Sequence, residues 1–247
     1  MQFAADPGSG CHGTLSRYFM LPGDFCYKVP DGSNIGLKEA VLVEPLSVAV
    51  HTVRLADVKP GQNVVVFGAG TVGVFCAAVA REFGAGSVTV VDVNEKRLEF
   101  ARRIVGDTVR VYVPGQGLGS KENAQAIASL SNAREGLDIA LDASGAEQST
   151  QTAIYALRPG GTYVQAGMGK RNIEFPIAEM CEKEITVRGC FRYGAGDFEL
   201  AMKLAADGRL RLDEFVTAVY PFEKAPEAWD AAGRGEGVKT VIQVGGL

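Results

Sequence analysis

A doubly wound α/β fold on a parallel sheet is what this sequence predicts, and three observations predict it. Short β-rich runs alternate with helix-forming runs from Val64 to about Cys190; alternation of that kind means parallel strands joined by crossover helices. A glycine-rich turn, Gly68-Ala69-Gly70-Thr71-Val72-Gly73, joins the first β-rich run to the first helical one. An acid, Asp92, closes the second β-rich run nineteen residues beyond Gly73. Turn and acid stand at the spacing of a dinucleotide fingerprint, so a Rossmann-type sheet is expected.

The elements follow in order. The first 43 residues hold many turn formers (Pro7-Gly8-Ser9-Gly10, Pro22-Gly23-Asp24, Pro30-Asp31-Gly32) and short β-prone pieces such as Cys26–Val29. The first strand of the sheet is expected over Val64–Phe67, where β-branched and aromatic residues suit a pleated surface. Its helix, Val72–Phe83, ends at Gly84, a residue suited to a helix C-terminus. Strand Val88–Val91 and helix Glu95–Val105 come next, then strand Val109–Val113. Pro114 to Ser120 is a glycine-rich connection, expected to be mobile. Helix Lys121–Ser131, strand Ile139–Asp142 and helix Glu147–Leu157 continue the alternation. Pro159-Gly160-Gly161 reads as a turn before strand Thr162–Ala166, and Ile185–Gly189 is the last strand of the run. After Cys190 the sequence predicts a helix (Asp197–Asp207), a strand (Phe215–Val219), a helix (Phe222–Ala232) and a strand (Thr240–Val244). A doubly wound domain thus lies between two segments of another kind, which are expected to pack together.

Composition narrows the function classes. With 47% hydrophobic and 22% charged residues the chain is of ordinary globular make-up. Net charge is −4 with no basic run, which argues against a nucleic-acid partner. The apolar stretch from Val64 to Ala80 lacks charge, but it is shorter than the roughly 20 residues a membrane helix needs and is broken by three glycines. Asp6 and Gly8 interrupt any apolar core of a secretory leader. The five cysteines (Cys11, Cys26, Cys76, Cys181, Cys190) are odd in number and scattered, with no C-x-x-C pair, which predicts a reducing, cytoplasmic setting.

Each part of the fingerprint has a physical job. Gly68 allows the tight turn, Gly70 lets backbone approach a pyrophosphate, and Gly73 lets the helix pack on the strand. The N–H groups and dipole at the helix start face the phosphates. A carboxylate at position 92 can accept from both ribose hydroxyls and repels a 2′-phosphate, so NAD is expected over NADP. A glycine-rich turn alone would be a weak signal. Here strand, helix, second strand and acid are all in register.

Several stretches carry a family resemblance. They are Phe25-Cys26-Tyr27-Lys28-Val29-Pro30-Asp31, Val43-Glu44-Pro45-Leu46-Ser47-Val48-Ala49-Val50-His51, Ser144-Gly145-Ala146-Glu147, Gly160 to Gly169, Lys183 to Gly189 and Phe191-Arg192-Tyr193-Gly194-Ala195-Gly196-Asp197. With the fingerprint, they resemble the zinc-dependent polyol dehydrogenases of the medium-chain dehydrogenase/reductase superfamily, over essentially the whole chain. The E-P-L-S-V-A-V-H and F-R-Y segments are more specific than the glycines. The resemblance implies a Rossmann domain over 47–190, flanked by remnants of a GroES-like β-rich catalytic domain at 1–46 and 191–247. It implies NAD-dependent oxidation of a sugar alcohol of the xylitol or sorbitol class to a ketose, by zinc-assisted hydride transfer, in a cytoplasmic homo-oligomer, dimer or tetramer. In the family a GroES-like segment supplies a cysteine and a consecutive His-Glu pair to the catalytic zinc. The present sequence has two histidines, His12 and His51, and no His-Glu pair. The primary ligands are therefore expected to be missing from these 247 residues. The alternative is a truncated or zinc-free dinucleotide-binding module without dehydrogenase activity. A quinone reductase of zinc-free type is a third reading, against which Asp92 stands because those enzymes usually take NADPH.

The resemblance also assigns roles. Glu44 matches a glutamate beside the zinc-bound water or an occasional zinc ligand, though a glutamate before a proline can simply be solvated. Arg192 and Tyr193 match a pair facing substrate and cofactor. Arginine offers a fixed fork of donors for polyol hydroxyls, for Glu44 or for a pyrophosphate, and could otherwise only cap a strand end. Phe191 and Phe3 match aromatics of the substrate pocket, with core packing the other reading. Asp92 and Arg97 match the ribose acid and an arginine over the adenine, while Val72 and Ala166-Gly167-Met168 match positions along the pyrophosphate and nicotinamide. His51 resembles a structural histidine at the start of a helix linking the domains. Cys11-His12 is read as a loop variant, and Cys76 as packing in an apolar helix.

Overall fold

The computed structural model describes residues 13–33 and 35–245. They divide into two compact units. One runs from beyond Asn34 to Leu212; the other joins the residues up to Ser33 with those from Asp213 onward.

The larger unit holds a six-stranded sheet. Its strands are β1 (Asn63–Phe67), β2 (Ser87–Val91), β3 (Arg110–Tyr112), β4 (Leu137–Asp142), β5 (Leu157–Gln165) and β6 (Thr186–Gly189). Its helices are α1 (Leu37–Ala40), α2 (Val43–Ala56), α3 (Thr71–Glu82), α4 (Glu95–Val105), α5 (Ser120–Leu130), α6 (Glu147–Ala156), α7 (Ile177–Glu182) and α8 (Asp197–Ala206). Spatial order is β3-β2-β1-β4-β5-β6, and every pairing is parallel. The winding reverses between β1 and β4, and at such a reversal the loops diverge and open a crevice at the carboxyl ends of the strands.

The sheet forms where the sequence places it because the central strands are covered on both faces. Val64, Val65, Val66 and Phe67 are all buried, the mark of a strand covered by helices on either side. On one face Val65, Phe67, Ala140 and Tyr163 pack with Ile127 of α5 and Ile154 of α6. Helices α2 and α3 pack against each other, as do α2 and α8.

Three helices depart from the sequence reading, the short α1 among them. Helix α2 was not drawn as a separate element, and His51 lies in its second half rather than at the start of a helix. Nine of its fourteen residues are buried, including Ser47 and Thr52, so burial on most sides erases the polar face that helical periodicity relies on. Helix α7 follows Pro176, which sets its entry. Strand β5 begins at Leu157 and runs through Pro159-Gly160-Gly161, expected as a turn; the register against β4 shifts between Leu137 and Ile139 to accommodate it. Asn63 N–H donates to Asp138 Oδ2 at 2.7 Å, which fastens β1 to β4 at their amino ends.

The smaller unit contains β7 (Val216–Pro221), α9 (Ala225–Gly233) and β8 (Lys239–Gln243), with the two strands parallel. The expected helix Phe222–Ala232 is divided: a 3-10 turn spans Phe222–Lys224, and α9 starts with Pro226 in its first turn. Among the described residues no helix is long and apolar enough to cross a membrane.

Candidate functional site

The loops leaving the carboxyl ends of β1, β4 and β5 touch one another backbone to backbone, and glycines make that possible. A Cβ at Gly73, in the first turn of α3, would collide with the Gly68 carbonyl oxygen. Gly68 itself has φ +93°, and a Cβ there would stand 3.0 Å from the Ser144 nitrogen of the β4 loop. Gly145 has φ +69° and would place a Cβ 2.6 Å from the Gly169 nitrogen of the β5 loop. Gly70 is the exception. A Cβ there would meet nothing within 4 Å, so its backbone borders open space. It precedes α3 with extended backbone, and no side chain caps that helix. A helix start of this kind offers N–H groups and a positive dipole end to an anion.

Asp92 closes β2 beside this turn. Its Oδ2 accepts from Ala69 N–H at 2.7 Å and its Oδ1 from Asn94 N–H at 2.9 Å. The carboxylate is partly exposed, and each oxygen keeps a further lone pair for a ligand hydroxyl. Arg97 lies on the first turn of α4, exposed, its N–H bonded to the Asn94 side chain at 3.3 Å. Val72 is half-buried beside Gly73.

Asp142 organises the β4 loop. It is 0% exposed. Its Oδ1 accepts from Ser144 N–H at 2.7 Å, Ser144 Oγ at 2.8 Å and Gly145 N–H at 2.9 Å. Tyr163 OH lies 3.2 Å from Oδ2 and 3.1 Å from Thr150 Oγ1, and it also meets Gln165 Oε1. Burial, and then the neighbouring Asp142 charge, push the Tyr163 phenol far above its ordinary value, so it stays a donor. Gln165 Nε2 donates to the Gly167 carbonyl at 2.7 Å, and Ala166 and Gly167 N–H both donate to the Asp142 carbonyl at 2.8 and 2.7 Å. Both polar backbone groups of Gly167 are therefore engaged. Met168 projects outward, 86% exposed. Thr150, Tyr163 and Gln165 did not stand out in the sequence, because their meeting depends on the pairing of β4 with β5.

The segment after β6 lies next along the sheet. Cys190 N–H donates to the Gln165 carbonyl at 2.8 Å. Arg192 follows with φ +57°, its guanidinium carbon 5.5 Å from the centre of the Phe191 ring. Tyr193 meets Phe198 edge to face at 5.7 Å. Glu44 is exposed in the first turn of α2. Phe3, Cys11 and His12 lie outside the described residues.

Among the described residues no group of three His, Cys, Asp or Glu stands where it could hold a metal ion, whereas catalytic zinc takes three protein ligands. The residues around the fingerprint do suit a dinucleotide: open space over Gly70, an uncapped helix start, and a carboxylate beside them.

Comparison with known proteins agrees with this arrangement. Residues 71–207 match the family model described as zinc-binding dehydrogenase. D-xylulose reductase A of Aspergillus oryzae is 50% identical over 98% of this chain and 66% of its own length. The crystal structure of L-idonate 5-dehydrogenase from Escherichia coli superposes with a TM-score of 0.82 at 27% identity, covering 94% of this chain and 64% of that one. An alcohol dehydrogenase from Thermus sp. ATN1 gives a TM-score of 0.76 at 28% identity, over 89% of this chain and 61% of the other. The chain thus spans about two thirds of the length of the proteins it matches.

Proposed function

The chain belongs to the zinc-binding dehydrogenase family, and from that premise we propose that these residues bind NAD(H) at the carboxyl edge of the six-stranded sheet. The single observation that carries the reading is the junction of the fingerprint turn with Asp92: a helix start open to solvent at Gly70 beside a carboxylate already oriented by Ala69 N–H. Gly70 and Val72 line the pyrophosphate, Gly68 and Gly73 hold the turn, Asp92 takes the ribose hydroxyls, and Arg97 covers the adenine. Ala166, Gly167 and Met168 border the nicotinamide. Because both Gly167 groups and the Ala166 N–H are engaged, hydrogen bonds to the carboxamide fall to the Ala166 carbonyl and the Met168 backbone. Phe191, Arg192 and Tyr193 face both cofactor and substrate, with Phe191 lining the substrate pocket.

For the whole protein we read the activity as NAD-dependent oxidation of a sugar alcohol, of the xylitol or sorbitol class, to a ketose. The likeness to a D-xylulose reductase supports it. The nicotinamide, when bound, accepts hydride from the alcohol carbon. What the present residues contribute is orientation. The Asp142 network fixes the β4 and β5 loops, and the Arg192 fork suits vicinal hydroxyls or a pyrophosphate. Glu44 carries a charge at the exposed start of α2, suited to accept a hydrogen bond near the reacting oxygen. The described donors do not fit zinc. That same observation favours a second reading, in which these residues act as a dinucleotide-binding module without dehydrogenase activity. We read the assembly as a cytoplasmic homo-oligomer acting on small molecules, which the scattered cysteines and the absence of a basic run support.

Hydrogen exchange with and without NADH tests the cofactor reading. The expected result is slower exchange over residues 68–73, 143–146 and 166–169. Protection confined to the β7–β8 unit would contradict it.

A further inference from the structure

The segment between β6 and α8 is held by a device that the dinucleotide fingerprint does not require. Asp197, the first residue of α8, is 1% exposed, and its carboxylate gathers three partners. His51 Nδ1 stands 2.7 Å from Oδ2. Gly194 N–H donates to the same oxygen at 2.7 Å, and Arg54 Nη1 reaches Oδ1 at 2.6 Å. The same arginine nitrogen donates to the Ala195 carbonyl at 3.3 Å. The fit is close: a Cβ at Gly194 would come 3.3 Å from His51 Cε1.

The other end of the segment is held by the same helix. The Cys190 thiol lies 3.3 Å from Thr52 Oγ1. One turn of α2, carrying His51, Thr52 and Arg54, therefore grips both ends of the stretch from Cys190 to Asp197. Between the grips lie Phe191, Arg192 and Tyr193. Arg192 adopts φ +57°, a conformation that a non-glycine residue keeps only where its surroundings impose it. A buried carboxylate is costly unless fully paired and hydrogen-bonded. Here the pairing is directed at loop backbone, at Gly194 and Ala195, as well as at the helix.

We propose that His51, Arg54 and Asp197 form a positioning clamp that sets Phe191-Arg192-Tyr193 against the bound dinucleotide. The inference rests on the cofactor reading above. None of the three residues is taken to touch cofactor or substrate; they act through the loop.

The test is a double-mutant cycle on the 247-residue chain, read by NADH fluorescence titration and by exchange of the amides of residues 191–196. His51→Leu removes the ring donor. It should weaken NADH binding about tenfold, the loss that goes with one removed partner of a buried charged group, and should speed exchange in the loop while leaving residues 68–73 unchanged. His51→Asn, whose amide can still donate to Asp197, should recover most of the affinity, and it keeps the test alive if the leucine variant folds poorly. In an Arg192→Ala, Tyr193→Ala background, the loss caused by His51→Leu should vanish, since coupled residues are not additive. Unchanged NADH affinity in a folded His51→Leu chain overturns the clamp. So does an equal loss in the double-alanine background. A parent chain that binds no NADH overturns the cofactor reading itself, and is told apart because no variant then shows affinity.

Discussion

Asp92 and Asp142 both end strands of the sheet, and only one of them was fully legible in the sequence. Asp92 sits at a fixed distance from a glycine pattern, and its partner Ala69 lies inside that pattern. Asp142 stood at the right strand end, but its role as a hub depends on Thr150, Tyr163 and Gln165, whose approach no spacing encodes. Asp142→Asn keeps an oxygen for the Ser144 and Gly145 N–H groups but puts an NH2 donor against the Tyr163 and Thr150 hydroxyls, which now donate to Oδ2. We expect a loss of about 1–3 kcal/mol in folding stability, the cost of a buried polar group left mispaired, read by urea denaturation. The thiols give a second prediction. Burial, then the nearby Cys190, pushes the Cys76 thiol up to about 12, and burial also raises Cys190. Both should resist maleimide at pH 8, while the exposed Cys26 and Cys181 react, since the thiolate is the nucleophile. The sign for stability follows. Native Cys76 holds its proton more tightly than the unfolded chain does. Its contribution is therefore whole below the ordinary value of 9.0 and is lost as pH rises toward about 12. Fast labelling of Cys76 in the native protein would contradict its burial.

At the scale of elements, the fingerprint turn depends on one contact. A Cβ on Gly73 would run into the Gly68 carbonyl, so Gly73→Ala must push α3 away from β1. We expect a lowered melting temperature together with loss of NADH binding. Gly70→Ala, which meets nothing, should leave the melting temperature within a degree or two and act only on the ligand. Equal melting losses for the two would show that the turn is not packed as described. Most elements of the sheet were legible because short, continuous β-rich runs alternate there with longer helical ones. Helix α2 was not, for the opposite reason: Val43, Leu46, Val50 and Val53 are buried along with Ser47 and Thr52, and only a narrow polar stripe of Glu44, His51 and Arg54 remains to mark its turns. Its importance for the loop after β6 was also hidden, because His51 and Asp197 are far apart in sequence and meet only through the packing of α2 on α8.

At the scale of the molecule, we propose that cofactor binding and catalysis separate. The six-stranded unit holds every residue assigned to the dinucleotide, while the donors described here assemble no metal centre. The 247 residues should therefore carry no stoichiometric zinc and oxidise xylitol or sorbitol negligibly. An alcohol with a pKa near that of bulk water, about 16, must otherwise lose its proton without a Lewis acid. Metal analysis by plasma mass spectrometry, combined with an NADH-formation assay, checks this. One tightly held zinc per chain together with polyol turnover would mean the donor set has been misread.

The central claim is that the carboxyl edge of this sheet is an NAD(H) site whose selectivity comes from Asp92. Fluorescence titration of the parent chain and of Asp92→Ala with NADH and NADPH tests it most directly. The parent should bind NADH well and NADPH poorly, because a 2′-phosphate meets a carboxylate, and the gap should narrow in the alanine variant. Equal or tighter binding of NADPH by the parent, or a gap that Asp92→Ala leaves unchanged, would contradict it.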